Sequence, residues 1–599
     1  MSFARARVLL ITAITLTIAA SAGAQGPFRQ DVVVTAAATP VELGTVTRTI
    51  TVITRDQISQ LPVHSIADVL RLTAAVDVRA RGERGVQTDF SIRGANFGQM
   101  LVLVDGVRLN DAQSGHHNGD IPIPLEAVER IEILHGPGSS IFGADAFGGT
   151  VNVITRKTAP PVSAAVESGS FGLVSARAQA SATRGSLREI IAVAADRSSG
   201  FMFERDFVTA AFSSQTSIGD RTGILASYLW KDFGANGFYG NAPSHEWTNQ
   251  TLVAVDHRLG GWEGWQLGAN ASYRTHGDHF LFDVRRPGVS ENFHRTHATL
   301  ATLRASRTTG GRGSITAGTE GGADWVRSTN LGNHDTSRVS AFAEWRFAPA
   351  ASTQLDAGLR VDRYSEFGAS WSPSLGVGWW PSALVRLRAS AGRAFRVPTF
   401  TERYYSDPAN LARPEVHAET AWAEEVGADV FAGDGWTAAA TMFARQDHDV
   451  IDWLRPTTAE RWQTYNIRDV DTFGAEFSVR RSWTGGSFIQ AGYSVLDVNA
   501  AAVTQLSKYV LDYAPHSVVV AASVAMPFRA RLAPRVEIKR RTRSTGESSY
   551  AVVDLRLSRR FGMYEVRAQG TNLGGADYQE VLGVAMPGRA GTISLAFMR

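Results

Sequence analysis

Three stretches of this chain carry residues that could do chemistry. Ser114-Gly115-His116-His117-Asn118-Gly119-Asp120, which follows Leu109-Asn110-Asp111, sets two imidazoles beside an amide and a carboxylate in one short loop. Histidines there offer donors, acceptors and metal ligands, so His116, His117, Asn118 and Asp120 are first candidates for contact with a captured substrate. Phe238, Tyr239, His245 and Trp247 form a second group, and His276, His279, Phe280, Phe282 and His294 a third. Rigid amphipathic rings of this kind suit a large planar or macrocyclic ligand, which adds Phe238, Tyr239, His276 and His279 to the substrate candidates. Each group has a plainer reading beside that one. The histidine loop serves equally as a solvated turn packed on a neighbouring wall, and Trp247 as an aromatic at a membrane interface. Catalysis finds no candidate. The chain has no cysteine, which removes disulfides, thiolate metal sites and cysteine nucleophiles together. It shows no nucleophile elbow, zinc-helix motif or Cys/His ligand set either. Gly136-Pro137-Gly138 to Gly143 is glycine-rich, but it lacks the Gly-Lys-Ser/Thr ending and the strand–turn–helix setting of a phosphate-cradling loop. A binding protein is expected, with no enzyme activity, no resident cofactor and no dedicated metal site.

The elements that must position these residues are mostly strands. At 599 residues two or more folded units are expected. The net charge of +3 comes from basic residues spread singly along the chain, which gives no footprint for nucleic acid. Residues 1–24 read as a secretory signal: Arg5 and Arg7, an apolar run from Val8 to Ala20, then Ala22-Gly23-Ala24 before a cleavage at Gln25. That apolar run is shorter than the about 20 residues a spanning helix needs. No later segment is long and apolar enough to span, so a membrane location requires a closed barrel.

From about 159 to 599 one pattern repeats, in which apolar and polar residues alternate between connections. Val385, Leu387, Ala389 and Ala391 oppose Arg386, Arg388 and Ser390; Val553, Leu555 and Leu557 oppose Asp554, Arg556 and Ser558. The same holds for Tyr564, Val566 and Ala568 against Glu565, Arg567 and Gln569. Apolar residues toward lipid and polar residues toward a wet lumen would produce this. Connections tend to alternate between short turns (184–186, 219–221, 310–313, 433–435) and long loops (233–247, 276–295, 326–335, 394–418, 446–463). Tight periplasmic turns and long extracellular loops mark an outer-membrane barrel, and counting between them gives about 22 strands, a size whose lumen is plugged.

Residues 46–158 depart from that pattern and read as a small α/β plug. The expected elements are a strand at Ile50 to Ile53 and a helix opened by a Ser65/Asp68 capping box, with Ile66, Val69 and Leu70 as its stripe. A strand-turn over Leu101 to Gly106, a short helix over Leu125 to Glu129 and a strand at Ile131 to Leu134 follow. Ile92-Arg93-Gly94, Leu103-Val104-Asp105-Gly106-Val107 and Val128-Glu129-Arg130-Ile131-Glu132 together resemble the plug of TonB-dependent receptors. Gly136-Pro137-Gly138-Ser139-Ser140-Ile141-Phe142-Gly143 and Gly148-Gly149-Thr150-Val151-Asn152-Val153-Ile154-Thr155 extend the resemblance in the family's order and spacing. Gly392 to Phe400, and Asn572-Leu573 through Tyr578 to Pro587-Gly588-Arg589, match the family in the barrel. One departure is that Phe597 is followed by Met598-Arg599 where such barrels usually end on an aromatic residue.

The resemblance implies a 22-stranded antiparallel transmembrane β-barrel with an N-terminal α/β plug domain inside its lumen, placed in the cell outer membrane. Asp31-Val32-Val33-Val34-Thr35-Ala36, within the periplasmic segment 25–45, looks like the family's TonB box. As an extended β-branched segment it can add to the sheet edge of TonB, the partner from the inner-membrane energising complex. The gap from 25 to 30 leaves no room for an extra signalling domain. Outer-membrane lipid and a small metal-chelate ligand are the other partners implied. Modest loops and the plug loop resemble cobalamin-type receptors, so a corrinoid is expected first and a ferric siderophore second. Phe395-Arg396-Val397-Pro398 and Asp407-Pro408 enclose no histidine, which counts against haem. A passive porin or adhesin would need the barrel but neither plug nor box.

Overall fold

The structure, a computed structural model, describes residues 33–34, 39, 41–500, 503–543 and 545–599. The signal expected at 1–24 lies outside them, and so does most of the expected TonB box. Within that box only Val33–Val34 is described, as a short strand paired antiparallel with Val41–Glu42.

In hydrocarbon every backbone donor and acceptor must be met inside the protein, which for strands means closure. The chain achieves this with a closed antiparallel barrel of 22 strands, running from Val162–Gly169 to Ala590–Met598. The seam is the pairing of those two strands, from Ser163↔Met598 to Gly169↔Thr592. Among the described residues no helix is long and apolar enough to cross a membrane.

The two rows of each strand face as the alternation requires. Arg386 donates to the carbonyl of Val46 at 3.2 Å, and Arg556 to that of Val63 at 3.0 Å, both in the plug. Leu555 and Leu557 therefore point outward, and Leu557 is 49% exposed in the absence of lipid. The inner row is not the wet surface expected from the alternation alone. Much of it is arginine and carboxylate bonded to plug backbone and side chains.

Strands run further than the sequence pattern suggested. A span needs about 9–11 residues, yet Trp265–Leu281 has 17 and Glu291–Thr309 has 19. Those strands rise past the membrane and absorb most of the loop expected at 276–295. Gly313–Ser328 and Gly332–Ala350 likewise shrink the loop expected at 326–335 to a tight turn. His276, His279 and His294 are thus strand residues, not loop residues.

Inside the barrel the plug is built on a five-stranded sheet in the order Ile50–Thr54, Val128–His135, Gly149–Thr155, Met100–Val104, Val107–Arg108. A hairpin, Val76–Ala80 with Thr88–Ile92, stands beside it. The Ser65/Asp68 capping box is formed and opens the helix Ile66–Leu70. The helix expected over Leu125 to Glu129 is only a 3-10 turn, Leu125–Ala127; Glu129 already belongs to the strand Val128–His135. Val128, Ile131 and Ile133 bury on the sheet, and that demand outweighs the local helical pattern. The core joins Ile53, Val69, Leu70, Phe90, Ile92, Val102, Val151 and Val153 to a few barrel residues, among them Leu252 and Phe488.

Candidate functional site

The family-like plug residues hold the plug together and seat it in the wall. Arg93 has a left-handed backbone (φ 54°), and its side chain is buried in the barrel wall. Its Nε and Nη2 donate to both oxygens of Glu476 at 2.9 and 3.0 Å, and Nη1 donates to Glu425 at 2.7 Å. Both acceptors are themselves fixed. Glu425 accepts from the Thr49 amide at 2.8 Å, and Glu476 lies 3.1 Å from His135 Nδ1. A fork meeting a carboxylate in two parallel bonds is among the stronger polar contacts available to a protein. Gly136 must be glycine here, because a Cβ would come within 3.1 Å of Arg93 Nη1 at a φ of +76°. Gly94, Gly106 and Gly143 also have positive φ, whereas Gly148 and Gly149 sit where strands and loop pack most closely. Gly392 lets Pro137 pack against the wall, where a Cβ would lie 3.5 Å from Pro137 Cγ.

Asp105 accepts from the Thr155 amide at 2.9 Å, and Asn152 from the Gly106 amide at 3.1 Å, which locks the turn onto the central strand. Arg130 and Glu132 pair side by side at 2.8 Å. Glu129 is half-exposed, 3.8 Å from Arg156.

The histidine loop forms the apex of the plug. Asn110 ties its base to the strand Met100–Val104, accepting from the Val102 amide and donating to the Met100 carbonyl, each at 2.8 Å. Ser114 caps a 3-10 turn, Gly115–Gly119. A Cβ on Gly119 would lie 2.3 Å from the Thr88 carbonyl oxygen, so the turn can rest on the hairpin only with glycine there. The two histidines then face different surroundings. His116 stacks on Phe97 at 4.1 Å between ring centroids, 2.8 Å from Asp89 Oδ1 and 3.3 Å from the Tyr509 hydroxyl. His117 turns to the barrel wall, where its ring is 4.3 Å from that of His276 and its Nε2 is 3.5 Å from Asp278.

Electrostatics separates the pair further. Burial outweighs Asp89 and lowers the His116 pKa. Burial also acts on His117, but hydrogen bonding and charge from Asp278, with Asp111 and Asp120, overcome it and push His117 up to about 9. Burial works to raise Asp89, yet Arg81 and His116 hold it well below the usual carboxylate range.

Of the residues marked in the sequence, the structure brings His117, Asp120 and His276 together and buries them with Asn118. Tyr239 reaches the same region, accepting from Gln87 of the plug and donating to Glu246. Phe238 instead fills a small core with Phe207, Phe233 and Val584. His279 lies on the other side of the wall. Arg274, His276 and Asp278 of its strand all touch the plug, so the pleat sends His279 outward, where it stacks on Trp247 at 4.5 Å and Phe293 at 4.2 Å. A ligand in the lumen cannot reach it. Phe97, Lys508 and Tyr509 went unmarked in the sequence. Lys508 reaches over the rings of Trp453, Trp462 and Tyr509 at 5.4–5.9 Å. The only sequence signal for it was a lysine–tyrosine pair inside an extracellular connection. Phe97, His116, Lys508 and Tyr509 form a cationic and aromatic floor under the extracellular loops.

Comparison with known proteins agrees with this architecture. Residues 195–573 match the family of TonB dependent receptor-like β-barrels, and residues 42–150 match the TonB-dependent receptor plug domain. The chain is 26% identical over 477 residues to the vitamin B12 transporter BtuB of Vibrio vulnificus, covering 71% of this chain and 72% of that one. Among solved structures it resembles the siderophore receptor PirA from Acinetobacter baumannii, with a TM-score of 0.75 at 17% identity over 92% of this chain and 98% of that one. It also resembles a mutant of the ferric enterobactin receptor PfeA from Pseudomonas aeruginosa in complex with enterobactin, with a TM-score of 0.73 at 17% identity over 92% and 100%. A closed outer-membrane barrel, an N-terminal plug seated in it and a family match across most of the barrel lead to one conclusion: the chain belongs to the TonB-dependent receptors, the energised transport receptors of the bacterial outer membrane.

Proposed function

We propose that this receptor imports cobalamin or a related corrinoid, captured on the plug apex and released inward when TonB pulls on the segment Asp31 to Ala36. The observation that carries the ligand is the likeness to a vitamin B12 transporter, which extends over 71% of the chain at 26% identity. The apex supports it chemically. Phe97, His116 and Tyr509 offer flat and edge-on ring faces with polar tips, a surface suited to a large macrocycle. A ferric siderophore is the second reading. Its support is the Lys508 ammonium over the same floor, which favours an anionic chelate.

Calorimetric titration of the purified receptor with cyanocobalamin and, separately, with ferric enterobactin decides between them. Saturable binding of cyanocobalamin alone supports the first reading; binding of the iron chelate alone replaces it with the second. Transport is read in cells. Deleting Asp31 to Ala36 is expected to abolish energy-dependent accumulation while leaving binding to purified protein unchanged. Accumulation at the parental rate would show that the box lies elsewhere.

A further inference from the structure

We propose that His117, Asp120 and His276 bind one divalent transition-metal ion of the zinc class, which staples the apical plug loop to the barrel wall. His117 and Asp120 stand three residues apart on the 3-10 turn Gly115–Gly119, with Asp120 as its C-cap. In a 3-10 helix residues i and i+3 eclipse, so both side chains leave the turn on one side. Opposite them runs the strand Trp265–Leu281, whose lumen row carries Arg274, His276 and Asp278. The donor atoms of His117, Asp120 and His276 lie within 4.8 Å of one another, and all three residues are buried.

Two imidazole nitrogens and a carboxylate oxygen are a donor set zinc takes in proteins, with bonds of about 2.0–2.2 Å. Tetrahedral ligands at that distance are separated by about 3.4 Å. His276 Nε2 and Asp120 Oδ2 stand 2.9 Å apart, so the nearest pair need open by only about 0.5 Å to admit an ion. The other oxygen of Asp120 is taken by Lys231 Nζ at 2.7 Å, which orients the carboxylate and leaves Oδ2 toward the histidines. Lys231 is in turn fixed by the carbonyls of Gly85 and Val86 at 2.6 and 2.9 Å.

One further feature supports a bound ion. Around the site His276 Nδ1, Asp278 Oδ1 and Gln113 Oε1 are buried without a protein hydrogen-bond partner. Protein groups alone thus leave this polar cluster incomplete.

The test uses the full-length receptor, purified in detergent, stripped with a chelator and titrated calorimetrically with zinc chloride and no nutrient. The expected result is one ion per chain, with His117→Gln and His276→Gln each weakening binding at least tenfold. His279→Gln, on the outer face of the same strand, should bind as the parent does. X-ray absorption at the zinc edge should show nitrogen and oxygen neighbours only. Should His276→Gln fail to fold, which heat-modifiable gel migration reports, His117→Gln reads the same question from the plug side. Absence of stoichiometric zinc at micromolar concentration in the parent overturns the proposal. So does zinc binding that survives both substitutions. Neither outcome bears on corrinoid import, because no corrinoid is present.

Discussion

Among the many contacts that fasten the plug to its barrel, two differ in their chemistry. Midway along the interface, Arg93 reaches Glu425 and Glu476; at the apex, His117 and Asp120 reach His276, Asp278 and Lys231. The first rests on a guanidinium, which stays charged at every accessible pH and meets carboxylates in a fixed fork. The second rests on imidazoles, whose charge, tautomer and metal content all respond to conditions. The first is suited to hold the plug whether or not a ligand has arrived. The second is made by the same turn that carries His116 on the floor beneath the extracellular loops, where a change in bonding can follow capture. One interface therefore contains a permanent seat and an adjustable one.

The largest effect is expected at the permanent seat. Arg93→Ala leaves two buried glutamates without their shared cation, a change that costs about 3–5 kcal/mol. Denaturant titration of the purified receptor should register the loss, and single-channel recordings should show a leak through the loosened plug. A variant as stable and as tight as the parent would remove Arg93 from that role. Arg93→Lys sharpens the point: it keeps the charge but not the fork, and should cost less, about 1–3 kcal/mol. An equal loss for both variants would mean that charge alone contributes little and the bidentate geometry almost everything.

At the adjustable seat, Lys231→Met removes the cation that orients Asp120 and touches no other acidic group. Its expected cost is about 1–3 kcal/mol, partly recovered when zinc is added to the stripped protein. A loss as large as that of Arg93→Ala, unchanged by zinc, would erase the distinction between the two contacts.

The permanent seat was far more legible in the sequence than the adjustable one. Ile92-Arg93-Gly94 and Gly136-Pro137 stand out because backbone geometry constrains them: a left-handed turn, and a glycine that must lie under a guanidinium. The Ser65/Asp68 capping box and the Asp105-Gly106 turn are local for the same reason. Asp120 and His276, by contrast, are 156 residues apart and meet only through barrel closure. No spacing rule connects them. Strand ends above the membrane were hidden by the same physics that revealed the spans. Where water replaces lipid outside, the outer row accepts polar residues such as His279 and Arg295, and the alternation fades although the strand continues. Leu125 to Glu129 misled in the opposite way, because its apolar spacing suits a turn of helix while its far end is consumed by sheet burial.

The smallest expected effect divides two neighbouring residues. His116 and His117 are adjacent, but one looks to the Phe97–Tyr509 floor and the other to the barrel wall. If ligand is captured on that floor, His116→Ala removes a ring stacked on Phe97 and the partner of the Tyr509 hydroxyl. Tyr509 then loses its fixed position, and affinity for cyanocobalamin should fall about tenfold, which corresponds to about 1.4 kcal/mol. The magnitude is modest because Arg81 still satisfies Asp89, so no buried charge is stranded. His117→Ala should leave that affinity within about twofold of the parent, since its ring faces the wall. Its effect should appear in zinc binding instead. Calorimetry on both variants with both probes makes a crossed table of outcomes. The assignment of faces holds only if the two losses fall on opposite residues; a His117→Ala variant that loses the corrinoid while His116→Ala keeps it would place the captured ligand against the wall, and the adjustable seat would then be the binding site itself.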